Sequence, residues 1–330
     1  MPDWNFIFDD SILFGLRLQK VFKYQMANNQ VYRTFCDTVT SGRADPESYK
    51  QIPKIPIRAF REAKVASFHV TDAELFFKSS GTGDMNRSTH YLKSSLLYRE
   101  SIKKGFDCFY DPEKYVIWCY TPAYQDNPDS SLIYMLKQLV TRDSSGLSRF
   151  LKLDRGLDSD EIEEVSNSGK KLMIFGAAFG LLDLLQLNRI MLPEDSVIVE
   201  TGGMKTYKRE MGKMELHQTL AEGFGLAKNH IHSEYGMCEL LSQAYAKERG
   251  WFETPHWMQV TVHDPLNPMR VCEPGEEGKI GVIDLANFYS CSFILTDDRG
   301  VMDKQGRFRV LGRWNSADLR GCNFLIDRDM

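Results

Sequence analysis

The sequence predicts an α/β protein, with mixed and parallel sheets covered by helices and an antiparallel β-subdomain at its C-terminal end. Two patterns lead there. Between about residues 74 and 223, β-rich apolar runs alternate with segments of helical periodicity, as repeated β-α units do. After about residue 250 strand-like runs follow one another without helices, separated by turn signals such as Glu273-Pro-Gly and Asp303-Lys-Gln-Gly. The expected division is 1–250, a helical N-terminus plus the α/β body, and 251–330, the β-subdomain with a short C-terminal tail.

Taken in order, residues 4–41 read as mostly helical, with Leu13, Leu16, Leu18, Val21 and Phe22 on short helical steps. Ile52-Pro-Lys-Ile-Pro-Ile-Arg is extended, because a proline biases the residue before it away from the helix. Residues 74–78 form a strand, 79–88 a Gly-containing loop, and a helix runs to about Lys104. Strands follow at 115–120, 171–175 and 196–200, and helices near 131–140, 179–188 and 208–223. The closing strands are expected at 257–263, 279–284, 292–296 and 307–311.

Bulk properties exclude several classes. Hydrophobic residues at 42% and charged residues at 26% are those of a globular protein, and a formal charge of −4 offers nucleic acid no global attraction. The acidic start lacks a signal-peptide pattern, and the longest apolar stretch, 173–187, is broken by Gly176, Gly180 and Asp183, so no membrane span is expected. Seven scattered cysteines without a Cys-x-x-Cys pair read as reduced thiols of a cytoplasmic protein, with Cys36, Cys108, Cys119 and Cys291 expected in the core.

Three segments carry chemistry. Lys78-Ser-Ser-Gly-Thr-Gly-Asp-Met-Asn-Arg-Ser88 lies between a strand and a helix; glycines let backbone approach a phosphate, hydroxyls donate to it and a cation neutralises it. Taken alone, it is as readily a polar turn. Ser233-Glu-Tyr-Gly-Met-Cys-Glu239 sets a carboxylate just after a glycine turn, where it could hold Mg²⁺ or simply begin a helix. In Leu295–Arg313 an Asp before a hairpin and an Arg after it could grip a ribose diol, or form a solvated hairpin.

In this order and spacing the segments resemble the adenylate-forming superfamily of acyl-CoA synthetases and aryl-acid ligases, over roughly residues 52–323. The resemblance implies that Ser79, Ser80, Gly81 and Thr82 with Arg87 hold the ATP phosphates. It places Tyr235 and Gly236 against the adenine, Glu239 on Mg²⁺, and Asp298 with Arg313 on the ribose. Glu200-Thr-Gly-Gly203 resembles the strand-end segment along the adenine, which adds Gly202 and Gly203. Tyr124 resembles the family's aromatic gate, and Gly176 with Phe179 could floor an acyl pocket, although a tight strand–helix turn explains them equally well.

Within the superfamily, Ile52-Pro-Lys-Ile-Pro-Ile-Arg-Ala-Phe, Thr201-Gly-Gly-Met-Lys and Arg320-Gly-Cys-Asn323 are most similar to the acyl-protein synthetases, LuxE-like fatty-acid–protein ligases. That resemblance implies ATP and Mg²⁺ as cofactors, a fatty acid activated as acyl-AMP, Cys322 as acyl acceptor, and an acyl-accepting reductase as partner protein. It also implies the N-terminal body of the fold without the mobile C-terminal lid domain. Departures from the superfamily pattern are Gly83 and Asp84 for Thr-Gly, Cys238 for Thr, and Asp297 for Gly. The alternatives are an acyl- or aryl-CoA ligase lacking its lid and a non-catalytic nucleotide-binding relative. His230, His232 and Glu234 could be metal ligands, but a partly buried strand leading into the Tyr235 turn is the plainer reading.

Overall fold

The computed structural model describes residues 3–41, 49–79, 87–121, 127–202, 211–248 and 250–314. They group into two units, one of 1–73, 90–93 and 256–330, the other of 74–89 and 94–255. In chain order the elements begin α1 (Phe14–Asn28), α2 (Gln30–Thr40), β1 (Ile55–Pro56), α3 (Ala59–Glu62), β2 (Leu75–Lys78), β3 (Thr89–Leu92) and α4 (Ser95–Asp107). Next come β4 (Tyr115–Tyr120), α5 (Ser131–Val140), β5 (Arg149–Phe150), α6 (Ser159–Asn167), β6 (Lys171–Ala177) and α7 (Ala178–Leu187). The chain continues through β7 (Val197–Thr201), α8 (Lys213–Phe224), β8 (Ile231–Tyr235) and β9 (Ala244–Ala246). It closes with β10 (Met258–His263), β11 (Glu277–Asp284), β12 (Phe293–Met302) and β13 (Phe308–Arg313).

The 74–89 and 94–255 unit is built on a six-stranded sheet in the order β5-β4-β6-β7-β8-β9. All neighbours run parallel except the last, where β9 turns back along β8. The central strands read Tyr-Val-Ile-Trp-Cys-Tyr, Lys-Leu-Met-Ile-Phe-Gly-Ala and Val-Ile-Val-Glu-Thr, nearly continuous apolar runs of the kind buried on both faces. Trp118, Ile174, Leu181, Ile198, Leu220 and Phe224 share one core. Helix starts are set by short polar caps: Ser94 Oγ accepts from Leu97 N and Ser130 Oγ from Ile133 N. α8 ends where Gly225 turns left-handed at φ 70°, a conformation that suits glycine.

At one edge of this sheet Asp143 is nearly buried and accepts from Lys170 Nζ (2.8 Å), Ser145 N (3.0 Å) and Ser148 N (3.0 Å). Ser148 Oγ accepts in turn from Ile117 N of β4. Burial alone would raise the Asp143 pKa, but the Lys170 ammonium and the Ser145 and Ser148 donors pull it well below the ordinary value. A depressed pKa gives stability that is present above the unfolded value and lost as pH falls. Asp143→Asn is therefore expected to destabilise the protein at pH 7 and by much less at pH 2, the difference shrinking progressively as pH falls below about 4. Urea titrations at the two pH values check it.

The other unit carries a five-stranded sheet in the order β1-β12-β11-β10, with β13 also paired to β12. β10 through β13 are antiparallel and β1 joins β12 in parallel. The two N-terminal helices bond to the segment before β12. Gln25 donates to Asn287 O (3.0 Å) and Ser292 Oγ (3.1 Å) and accepts from Ser292 N, while Asn29 donates to Ser290 O (2.8 Å). Both amides are fully buried, so each unmade bond would cost roughly 1–3 kcal/mol. Cys36, Cys119 and Cys291 are buried as expected, but Cys108 is exposed, because it caps the C-terminal end of α4. Among the described residues no helix is long and apolar enough to cross a membrane.

Candidate active site

The candidate residues fall into a group in each unit. In the α/β unit the C-terminal ends of β6, β7 and β8 present Gly176, Gly202 and Tyr235-Gly236, the edge at which parallel α/β sheets bind ligands. Gly202 follows β7 directly with φ 79°, a backbone most side chains avoid. Gly236 follows β8, where an added Cβ would stand 2.4 Å from a Glu234 carboxylate oxygen. Tyr235 is 8% exposed and its ring lies 5.8 Å from that of Phe252. Glu239 sits in a turn between β8 and β9, not at the start of a helix, and is buried.

At the loop after β2, Ser79 N donates to Ser88 O (3.1 Å), Ser88 N to Ser79 Oγ (2.9 Å), and Arg87 Nε to Ser79 O (2.6 Å). The two ends of the loop are thus zipped together, with Arg87 part of the closure. Ser80, Gly81, Thr82, Tyr124, Gly203 and Cys322 lie outside the described residues. Gly176 has no room for a side chain, since a Cβ there would come within 2.5 Å of the Tyr120 carbonyl oxygen; Phe179 is partly buried on α7 one turn further.

In the other unit Asp298 and Arg313 are cross-strand partners, and Arg313 Nε donates to Asp298 Oδ1 at 3.0 Å. Asp298 N donates to Thr296 Oγ1. Gly312, with φ 132°, sits beside a register shift that lets β13 bring Arg313 opposite Asp298. Asp297 occupies an ordinary strand position and pairs with Lys279 at 3.0 Å, so the glycine usual there is not needed for backbone reasons.

Two carboxylates in the expected strands, Glu200 and Glu234, are buried in settings that the motifs do not announce. Glu200 is fully buried in β7; Lys213 Nζ lies 2.6 Å and His217 Nε2 3.3 Å from its Oε1, and its Oε2 has no hydrogen-bond partner among the described residues. Burial alone would raise its pKa, but Lys213's charge with His217 and Ser233 brings it down to about 2. Glu234, opposite Thr201 in β8 and bonded to its hydroxyl, is pushed up to about 7 by burial, with Glu200's charge adding to the rise. The signal was present as acidic residues inside the apolar strands Val-Ile-Val-Glu-Thr and Ile-His-Ser-Glu-Tyr.

A raised carboxyl pKa gives stability that is full below the unfolded value and lost as pH rises through the folded one. Glu234→Gln is thus expected to gain about 1 kcal/mol on wild type between pH 5 and 8, a fraction of the full linkage because the carboxamide must find partners for its NH₂. Denaturant titrations at both pH values measure it; a difference that does not change with pH would refute it.

No three His, Cys, Asp or Glu side chains cluster as a metal site among the described residues. His232 is engaged by Tyr110 OH (3.0 Å) and Asn229 O (3.1 Å), and burial lowers its pKa to about 4. Glu239 is a buried carboxylate, a hard oxygen donor of the kind that would hold Mg²⁺ beside phosphates.

The family model for acyl-protein synthetase, LuxE, matches residues 137–330. The long-chain-fatty-acid–luciferin-component ligase of Aliivibrio fischeri is 23% identical over 356 aligned positions, covering 97% of this chain and 89% of that protein. Among solved structures, 2-hydroxyisobutyryl-CoA ligase with 2-HIB-AMP and CoA gives a TM-score of 0.64 at 12% identity, over 92% of this chain and 68% of that one. ATP-bound MatB from Rhodopseudomonas palustris gives 0.51 at 15% identity, over 75% and 49%. Those likenesses establish the fold, the N-terminal body of adenylate-forming ligases. With the family model spanning more than half of the sequence, the chain belongs to the LuxE acyl-protein synthetase family of ligases.

Proposed function

We propose that the protein activates a fatty acid with ATP as acyl-AMP and passes the acyl group to a protein cysteine. The reading is carried by one observation: in a chain of this family, Gly202 and the Tyr235–Glu239 turn stand at the C-terminal ends of adjacent parallel strands. A carboxylate oxygen of the acid attacks the α-phosphorus of ATP, a P–O bond forms, and the bond to pyrophosphate breaks. The protein's work is positioning and charge neutralisation. Ser79, Ser80, Gly81, Thr82 and Arg87 take the phosphates; Tyr235, Gly236, Gly202 and Gly203 take the adenine; Asp298 and Arg313 take the ribose.

Bound Mg²⁺ would neutralise charge on the phosphates, and Glu239 would hold it. Tyr124, Gly176 and Phe179 border the acyl chain. In the second step the thiolate of Cys322 attacks the carbonyl carbon and AMP leaves with the bonding pair, giving a thioester for a reductase partner. A reaction that needs ATP and a reduced thiol belongs in the cytoplasm.

Acid-dependent exchange of labelled pyrophosphate into ATP, screened over carboxylic acids, tests the first step. No exchange with any acid would remove it. Labelled fatty acid with ATP and Mg²⁺ should give hydroxylamine-labile label on the protein, and Cys322→Ser should lose the label while still making acyl-AMP. Label that persists in the variant moves the acceptor elsewhere, and a product that forms only with CoA makes the protein a CoA ligase instead.

A further inference from the structure

Behind Tyr235 runs a chain of contacts that neither the sequence motifs nor the roles above explain. The Tyr235 ring packs on Phe252 at 5.8 Å. Lys213 Nζ lies over the Phe252 ring, 5.3 Å from its centroid, and 2.6 Å from Glu200 Oε1. Glu200 is fully buried two residues before Gly202. Lys213 is the first residue of α8, whose N-cap Gly212 makes no side-chain hydrogen bond. A lysine there opposes the helix dipole, which favours acidic side chains at that end. Glu200, for its part, leaves Oε2 without a hydrogen-bond partner among the described residues. An electrostatically awkward cation and an incompletely satisfied buried anion are held together against the ring that supports Tyr235.

We propose that Lys213, anchored by Glu200, is a positioning residue for nucleotide recognition, holding Phe252 and through it Tyr235 in the orientation that receives the base. The proposal rests on the reading that the base of ATP lies against Tyr235. A cation over one ring face restricts how that ring can move, and the Tyr235 ring packed at 60° to it then loses its own freedom before the ligand arrives. Preorganisation of this kind appears in binding, because the ordering has been completed on folding.

The test is steady-state kinetics of acyl-AMP formation and pyrophosphate exchange for wild type, Lys213→Met, Lys213→Arg and Phe252→Leu. Lys213→Met should raise the KM for ATP about tenfold, with kcat and the KM for the acid within about twofold. Lys213→Arg, which keeps both the ion pair and the cation over the ring, should restore the ATP KM. Phe252→Leu leaves the Glu200–Lys213 pair intact and should reproduce the ATP defect, so the proposal stays open to test if Lys213→Met fails to fold. General destabilisation would lower the active fraction, and hence kcat, without raising the ATP KM. An ATP KM unchanged in Phe252→Leu, or equal losses for ATP and acid, overturns the positioning role and leaves the adenylation reading standing. A wild type that neither binds ATP nor exchanges pyrophosphate overturns both.

Discussion

Glu239→Gln should lower the rate of acyl-AMP formation on the order of a hundredfold or more at limiting Mg²⁺, and excess Mg²⁺ should recover part of the loss. The carboxamide keeps the shape of the side chain but removes the charge that holds a hard cation. A metal on the phosphates supplies several kcal/mol of charge stabilisation, which sets the scale. Glu239 is 4% exposed, so little water stands by to replace the lost ligand. Pyrophosphate exchange measured against Mg²⁺ concentration reads the effect. Wild-type activity at low Mg²⁺ would remove Glu239 from that role.

Asp298→Ala should cost about 2 kcal/mol in ATP affinity, roughly thirtyfold, because a carboxylate taking both ribose hydroxyls makes two charge-assisted bonds. Its effect on folding should be much smaller. The Asp298 side chain is 10% exposed, but its partner Arg313 is 56% exposed and can return to water, so the pair contributes at most about 1 kcal/mol. Equilibrium binding of ATP and a thermal melt separate the two quantities. An affinity unchanged in the folded variant would end the ribose assignment.

Most of the fold was legible because its strands are short and apolar and its turns are marked. β4 and α5 fall at 115–120 and 131–140, where the apolar run and the helical periodicity predict them. The helix over 159–167 was not among the expected elements; it is short and acidic, with only Ile162 and Val165 buried, so its periodicity is faint despite the Asp158 cap. β9, three residues long, was too brief to register. Glycine motifs located the ends of β7 and β8, since local chemistry demands them there. The support behind them stayed hidden: nothing in the spacing of Glu200, Lys213 and Phe252 announces that they meet, because their contacts arise only when α8 folds back on the sheet. The bonds from Gln25 and Asn29 to 287–292 span some 260 residues, beyond any local pattern.

Those last bonds bear on the order in which the chain can fold as it is made. The 74–89 and 94–255 unit is almost one continuous stretch and can complete its sheet as soon as it has emerged. α1 and α2 leave the ribosome before that unit, yet the residues that receive Gln25 and Asn29 come some 260 positions later. At roughly 5–20 residues per second, α1 and α2 wait about 13–52 s with Leu18, Val21, Phe22 and Tyr32 uncovered. For that interval these two helices have emerged without the segment that receives them, and their apolar face is where nascent-chain chaperones would be needed.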